Sequence, residues 1–449
     1  MRAVLTLGIA VLLPLFAIHA SEVESLRCEF RTNPLAIDAA KPGLSWKLET
    51  GNLKPERGIR QTGYQILVAS SADLLKKDQG DLWDSGKVAS EQSVHIDYQG
   101  KPLASGMLCH WKVRVWEEKL EGGNRKPEKE PVTAWSAPAF WRMGLLRATD
   151  WRGKWISHDD ENLNIAPWMR KSFDLAAVPS RAFVTVNIAG YAELYINGQK
   201  VGTDVLTPAV SDTTKQVFYN TYDVTSLLKP GRNTIGLWLG QGWATRKDSS
   251  KAEGFVHAVP HVRAQIEAEI NGNPWALGTD ASWKTSSSSY QRRGGTKWGD
   301  FGGERIDPAA HIANWSSPDF DDKDWLNAVE VEAPKGEVVA QQAPLNRIGK
   351  EIPAVAVNDL GGGRYEIDFG TALTGWMRLK MPAWNSEASA TQTKRAVVRM
   401  TFADKKNYGV KVGFGGQPNP QPDGSYQHFN QVSEFVSTGK PGEVFEHKF

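Results

Sequence analysis

Residue types able to do chemistry occur at several separate points of this 449-residue chain. Two acidic runs, Asp159-Asp160-Glu161 and Asp321-Asp322, offer carboxylates. General acid–base work needs a carboxyl whose pKa is shifted by burial or by a charged neighbour. Adjacent loop carboxylates are explained by solvation, so neither run is read as catalytic. His257 and His261 stand four apart, a spacing that on a helix would turn both imidazoles to one face for zinc. Pro260 between them and Glu253-Gly254 before them oppose a helix. On a strand the two would still share a face, but no third ligand follows from the spacing. The stretch Gly413–Gly424 (GFGGQPNPQPDG) lacks the Lys-Ser/Thr pair and the following helix of a phosphate cradle, and reads as a loop.

The elements that must position such residues read as strands. In Glu193–Trp243, Leu194 and Ile196 alternate with Glu193 and Tyr195, so one face can be buried while the other stays polar. Asn197-Gly198 supplies the two positive-φ residues of a type I′ hairpin turn. Val217–Tyr222 and Asn233–Leu239 read as further strands, joined through Asp223, Thr225 and the turn Lys229-Pro230-Gly231. Earlier, Tyr64–Ala69 and Trp111–Trp116 alternate strictly; later, Tyr365–Gly370 and Gly375–Lys380 do so. The charged run Glu117–Pro131 is expected to be a solvated hairpin loop, the serine-rich Thr285–Tyr290 a surface loop, and Pro334–Pro344 a linker.

With Gly 42, Pro 24 and Trp 18, and few long helical periods, the chain is predicted to be all-β, a string of tandem β-sandwiches. Lys+Arg 53 against Asp+Glu 51 leaves a formal charge of +2, with no basic stripe for nucleic acid. Residues 1–20 read as a signal peptide: Arg2, the apolar run Ala3–Ile18 with Pro14, and Ala20 before Ser21. That run is too short to favour a membrane span, no later run is long enough, and no Cys at the cleavage site suggests a lipid anchor. The mature protein is therefore expected in the periplasm or outside the cell. That compartment permits a disulfide between Cys28 and Cys109; the alternative is two buried small hydrophobes in separate strands.

The Asn-Gly hairpin followed by Asp223-Val224-Thr225, Leu227-Leu228 and Gly231 to Leu237 resembles galactose-binding-like jelly rolls. Leu206-Thr207-Pro208, Asp212, Lys215, Tyr219–Thr225 and Gly240–Trp243 narrow this, and together resemble the N-terminal module of bacterial α-L-rhamnosidases of glycoside hydrolase family 78. Independent stretches agree: Leu26–Glu29, Asn33–Asp38, Leu44–Trp46, Gln61–Ile66, Asp84–Val88 and Trp111–Trp116 are similar to that family's opening strands. Asp280–Trp283, Phe301–Asp307, Phe320–Asp322 with Trp325, and Tyr365–Gly370 with Gly375–Lys380 resemble later landmarks. Cys109, where an aromatic is usual, and the long run from Glu117 depart from the pattern.

The resemblance implies a fibronectin type III-like domain over residues 21–144, a jelly-roll carbohydrate-binding-like domain over 145–333, and a concanavalin-like sandwich over 345–449 that ends before its closing strand. It implies an inverting glycosidase acting on terminal α-L-rhamnose of glycans or glycosides, with the acid and base in a helical (α/α)6 barrel. No catalytic residue is carried onto residues 1–449, so this chain is expected to be inactive alone. A stand-alone secreted carbohydrate-binding protein, or an inert product of a truncated reading frame, are the alternatives. A rhamnose-containing carbohydrate is the implied partner. Its candidate contacts are Asp212, Asn220, Gln241 and Trp243, in loops or strand ends of the most family-like segment. Some family members hold rhamnose through calcium, which implies a candidate Ca2+ here, assembled across loops because no EF-hand-like run is present.

Overall fold

The computed structural model describes residues 21–49, 59–121, 124–127, 133–159, 165–242, 244, 259–293, 300–381, 395–401 and 430–449. They form two compact units, residues 1–146 and 147–449.

In the first unit, strands Glu22–Cys28, Gly43–Glu49 and Ile96–Asp97 make one sheet. Trp83–Asp84, Ile59–Ala69, Leu108–Glu121 and Asn124–Pro127 make the other, with Ala139–Arg142 also on Leu108–Glu121. Between the sheets, Trp46, Trp111 and Trp141 pack with Ile66, Val68, Val113 and Val115. Alternation sends Leu67 and Ala69 to the opposite face, where they pack under Leu75 of the short helix Ala72–Lys76. Within the charged run from Glu117, expected to be a solvated hairpin loop, Glu118 to Glu121 pair antiparallel with Pro127 to Asn124 and so extend the sheet. Cys28 and Cys109 are free thiols buried in the same core. Burial is the main cause that raises both thiols, Cys109 to about 12, and so keeps them protonated.

In the second unit, a six-stranded sheet runs in the order Gln199–Lys200, Tyr191–Ile196, Gly231–Gly240, Trp168–Leu175, Lys284–Ser286, Leu326–Asn327. The facing sheet runs Val329–Glu330, Ile156–Ser157, His261–Ile270, Arg181–Ala189, Gln216–Asp223, Glu337–Ala340, with Asn273–Gly278 also on His261–Ile270. Every second residue of Arg181–Ala189 and His261–Ile270 points into the shared core, from Ala182 to Ile188 and from Val262 to Ile270. Asn197 (φ 51°) and Gly198 (φ 87°) make the expected turn. The Asn197 amide also ties the turn to its neighbours, donating to Leu227 O and Asn233 Oδ1.

Two connections turn out to be sheet. Glu337–Ala340, inside the expected linker, lies parallel to Gln216–Asp223 and covers that sheet's edge. Lys284–Ser286, inside the expected serine loop, pairs with Trp168–Leu175. Serine and threonine are tolerated there because their hydroxyls are bonded: Thr285 Oγ1 donates to Trp168 O at 2.9 Å, and Ser288 Oγ accepts the Trp238 indole N–H at 3.2 Å.

Among the described residues after 345, one strand joins a sheet begun earlier in the chain. Asn430–Val436 joins Asp300–Ile306 in parallel, in a sheet ordered Tyr290–Arg293, Asp300–Ile306, Asn430–Val436, Val397–Thr401. Ala356–Gly361 with Arg364–Asp368, and Arg378–Lys380 with Val444–Glu446, make two separate two-stranded ribbons.

Candidate functional site

Three of the four expected sugar contacts, Asp212, Asn220 and Gln241, make hydrogen bonds within the chain. Asp212 caps a turn: its Oδ1 accepts Thr214 N at 3.1 Å and Thr214 Oγ1 at 2.6 Å, with Lys215 at 3.4 Å. The Thr214 hydroxyl, then its backbone N–H, holds this carboxyl below the usual carboxylate range. Asn220 is buried and donates to Gln341 Oε1 at 3.2 Å, the same oxygen that accepts Ala209 N. It lines a cavity of ≈ 10 Å³ with Ala192, Thr207, Pro208 and Tyr222. A space of about that size holds one water and no sugar. Gln241 is buried at the end of Gly231–Gly240; it donates to Ile165 O at 3.3 Å and accepts from Arg292 at 3.1 Å. Trp243 and His257 lie outside the described residues, as do Asp160 and Glu161. His261 opens a strand, as Pro260 foretold.

Four tryptophans of this unit, Trp168, Trp238, Trp315 and Trp325, pack together. On the outer face of the six-stranded sheet, Trp168 stacks on Trp315 (centroids 5.3 Å apart) and on Trp325 (6.2 Å), and meets Trp238 edge-on. Beneath them Arg170 is fully buried. Its guanidinium pairs with Asp322, donates to Ser317 O at 2.9 Å, and lies 5.2 Å from the Phe320 ring. Asp322, read as a solvated acid, is therefore the counter-ion of a buried arginine. Its neighbour Asp321 accepts Lys323 N at 3.1 Å.

Glu193 forms a second buried network. Its oxygens meet Lys200 Nζ and Lys448 Nζ at 2.7 Å each, and accept the Tyr195 hydroxyl at 2.7 Å. Burial works to raise this carboxyl, but Lys448 and Lys200 outweigh it and hold it below the usual range. Close by, Glu304 accepts the backbone N–H groups of Lys448 and Phe449.

An open groove of ligand size lies elsewhere on this unit. It encloses ≈ 410 Å³ and is lined by His158, Asp159, Thr285 to Ser287, and Asp324 to Leu326. Small-molecule sites are commonly about 300–1,000 Å³, with a few convergent polar groups. Pairing of Lys284 with Asn327 and of Thr285 with Leu326 brings its two long walls together. Asp159 and Asp324 are exposed at its rim, and Ser286 and Ser287 add hydroxyls. Sequence reading placed Asp159 in a solvated run and passed over Asp324. No spacing signal joins residues 158, 286 and 324, because only strand pairing makes them neighbours. Among the described residues no group of three or more His, Cys, Asp or Glu could hold a metal. Asp159 and Asp324 supply two of the about 6–8 oxygens that calcium takes.

The fold class is thus an immunoglobulin-like β-sandwich followed by a larger two-sheet sandwich. Residues 23–147 match the family described as Rha78A-like, N-terminal immunoglobulin domain, and residues 177–350 match the α-L-rhamnosidase N-terminal domain. An α-L-rhamnosidase of Formosa agariphila is 28% identical over 93% of this chain and 44% of its own length; a second from that organism is 33% identical over 65% of this chain and 31% of its own. The structure of an α-L-rhamnosidase from Dictyoglumus thermophilum superposes with TM-score 0.75 at 29% identity, over 95% of this chain and 45% of that one. A Streptomyces avermitilis α-L-rhamnosidase, solved with L-rhamnose, shares the fold with TM-score 0.73 at 23% identity. The chain carries N-terminal domains of the α-L-rhamnosidase family. It spans less than half the length of these Formosa relatives.

Proposed function

We propose that residues 21–449 are the carbohydrate-recognition and scaffold region of an exported α-L-rhamnosidase acting on terminal α-L-rhamnose, and do not hydrolyse a glycoside by themselves. The observation that carries this is the match of both units to domains named as N-terminal in that family, over less than half of the relatives' length. The groove between Asp159 and Asp324 is the sugar-sized cleft, with carboxylates and serine hydroxyls to receive sugar hydroxyls. Its two carboxylates stand in water, whereas a glycosidase acid is kept protonated by burial.

Residues 1–20 act as the export signal, which supports a periplasmic or extracellular location. Among the described residues no helix is long and apolar enough to cross a membrane. Incubation of the purified chain with an aryl α-L-rhamnoside tests the catalytic half of the proposal. No aryl release is expected, and turnover would overturn it. N-terminal sequencing of exported protein is expected to begin at Ser21.

A further inference from the structure

One face of the four-stranded sheet carries more guanidinium than its carboxylates can neutralise. Glu434, almost fully buried, meets Arg305 Nη1 at 2.7 Å, Arg399 Nη2 at 3.0 Å and Arg293 Nη2 at 3.2 Å. The register explains the convergence. Glu434 pairs across the sheet with Arg305 on one side and Arg399 on the other, and Arg293 lies on the next strand out. Beside them Arg395 forks onto both oxygens of Asp307. Among the described residues four guanidiniums thus face two carboxylates, leaving two positive charges on this face of a chain whose formal total is only +2.

The surplus is accessible. The side chains of Arg399 and Arg293 are 67% and 48% exposed, while Glu434 beneath them is 4% exposed. Each of these arginines is seen to give Glu434 one terminal nitrogen, and a guanidinium carries five N–H donors in a planar fork. Glu434 therefore acts as an internal anchor that holds the cations together against their mutual repulsion. On the opposite face of the sheet Ile306, Phe435 and Met400 are buried, with Val398 partly buried against them.

We propose that this face binds an anionic substituent, a sulfate ester or a uronate carboxylate, on the polysaccharide that the protein recognises. The carbohydrate part rests on the function proposed above; the anion part rests on the arginine geometry alone. Oxyanions match the guanidinium fork in pairs of parallel hydrogen bonds.

Binding of the full chain to dextran sulfate, polygalacturonate, neutral dextran and polyglutamate would be measured by titration at about 50 mM salt, where surface charges are weakly screened. Capture of dextran sulfate assigns sulfate, capture of polygalacturonate assigns carboxylate, and neutral dextran is expected not to bind. The double variant Arg293→Gln/Arg399→Gln is expected to weaken that binding about tenfold or more, the scale of a lost charge-assisted pair. Arg305 still partners Glu434 there, so the double variant is expected to keep a cooperative thermal melt, shifted down at most modestly. Arg364→Gln, a charge removed from the separate ribbon Arg364–Asp368, is expected to leave binding unchanged. No polyanion binding, or equal binding by wild type and the double variant, would overturn the proposal. Polyglutamate bound as tightly as the sugars would keep the anion site and refute its carbohydrate ligand, a result independent of whether L-rhamnose occupies the groove.

Discussion

Glu193 and Glu434 show how single carboxylates act in this molecule. Both are buried, and both are held below the usual range because cations outweigh the burial that would raise them. A carboxyl whose folded pKa lies below its unfolded value adds stability that is present above the unfolded value, near 4.5, and lost as pH falls through the folded pKa. Acid titration of the melting temperature is therefore expected to show a loss beginning below about pH 4.5 that is shallower in Glu193→Gln than in wild type. Equal slopes would refute this role. Arg170→Met removes the buried guanidinium and leaves Asp322 without its pair; a loss of about 3–5 kcal/mol in chemical denaturation is expected, the cost of breaking a buried ion pair. Asp212→Ala, by contrast, removes only a turn cap and is expected to cost about 1 kcal/mol with rhamnose binding unchanged.

At the scale of elements, alternation and turn chemistry were legible and edge pairing was not. Leu194 and Ile196 announced a half-buried strand, and Asn197-Gly198 announced its turn, because both signals are local. Glu337–Ala340 was hidden between prolines, and its identity as a strand comes from the open edge of Gln216–Asp223 more than 110 residues earlier. Thr285 and Ser288 looked like loop because buried hydroxyls cannot be told from exposed ones until their partners are known. The groove was unreadable for the same reason, its walls being joined only by the pairing of Thr285 with Leu326. The edge strand is directly testable. Glu337→Pro removes the N–H that donates to Lys215 O at 2.8 Å, and a loss of about 1–3 kcal/mol is expected in a denaturant titration. A change within a few tenths would mean that the strand contributes nothing.

At the scale of the whole molecule, the described residues after 345 are tied to the strands before them. Their strand Asn430–Val436 depends on Asp300–Ile306, their core residue Phe435 packs with Ile306, and Glu304 grips the Lys448 and Phe449 backbone. Residues 345–449 expressed alone are expected to show no cooperative thermal transition by circular dichroism, whereas residues 147–449 are expected to show one; a cooperative melt of the shorter piece would contradict this. Under the function proposed above, a recognition unit with its cleft between Asp159 and Asp324 is this chain's contribution to rhamnoside chemistry. The most direct test is a saturation-transfer NMR titration of the full chain with L-rhamnose. Saturable transfer that is lost in Asp159→Asn/Asp324→Asn, with the thermal melt unchanged, is the result expected. Absence of transfer in the wild type, or transfer that survives the double substitution, would contradict it.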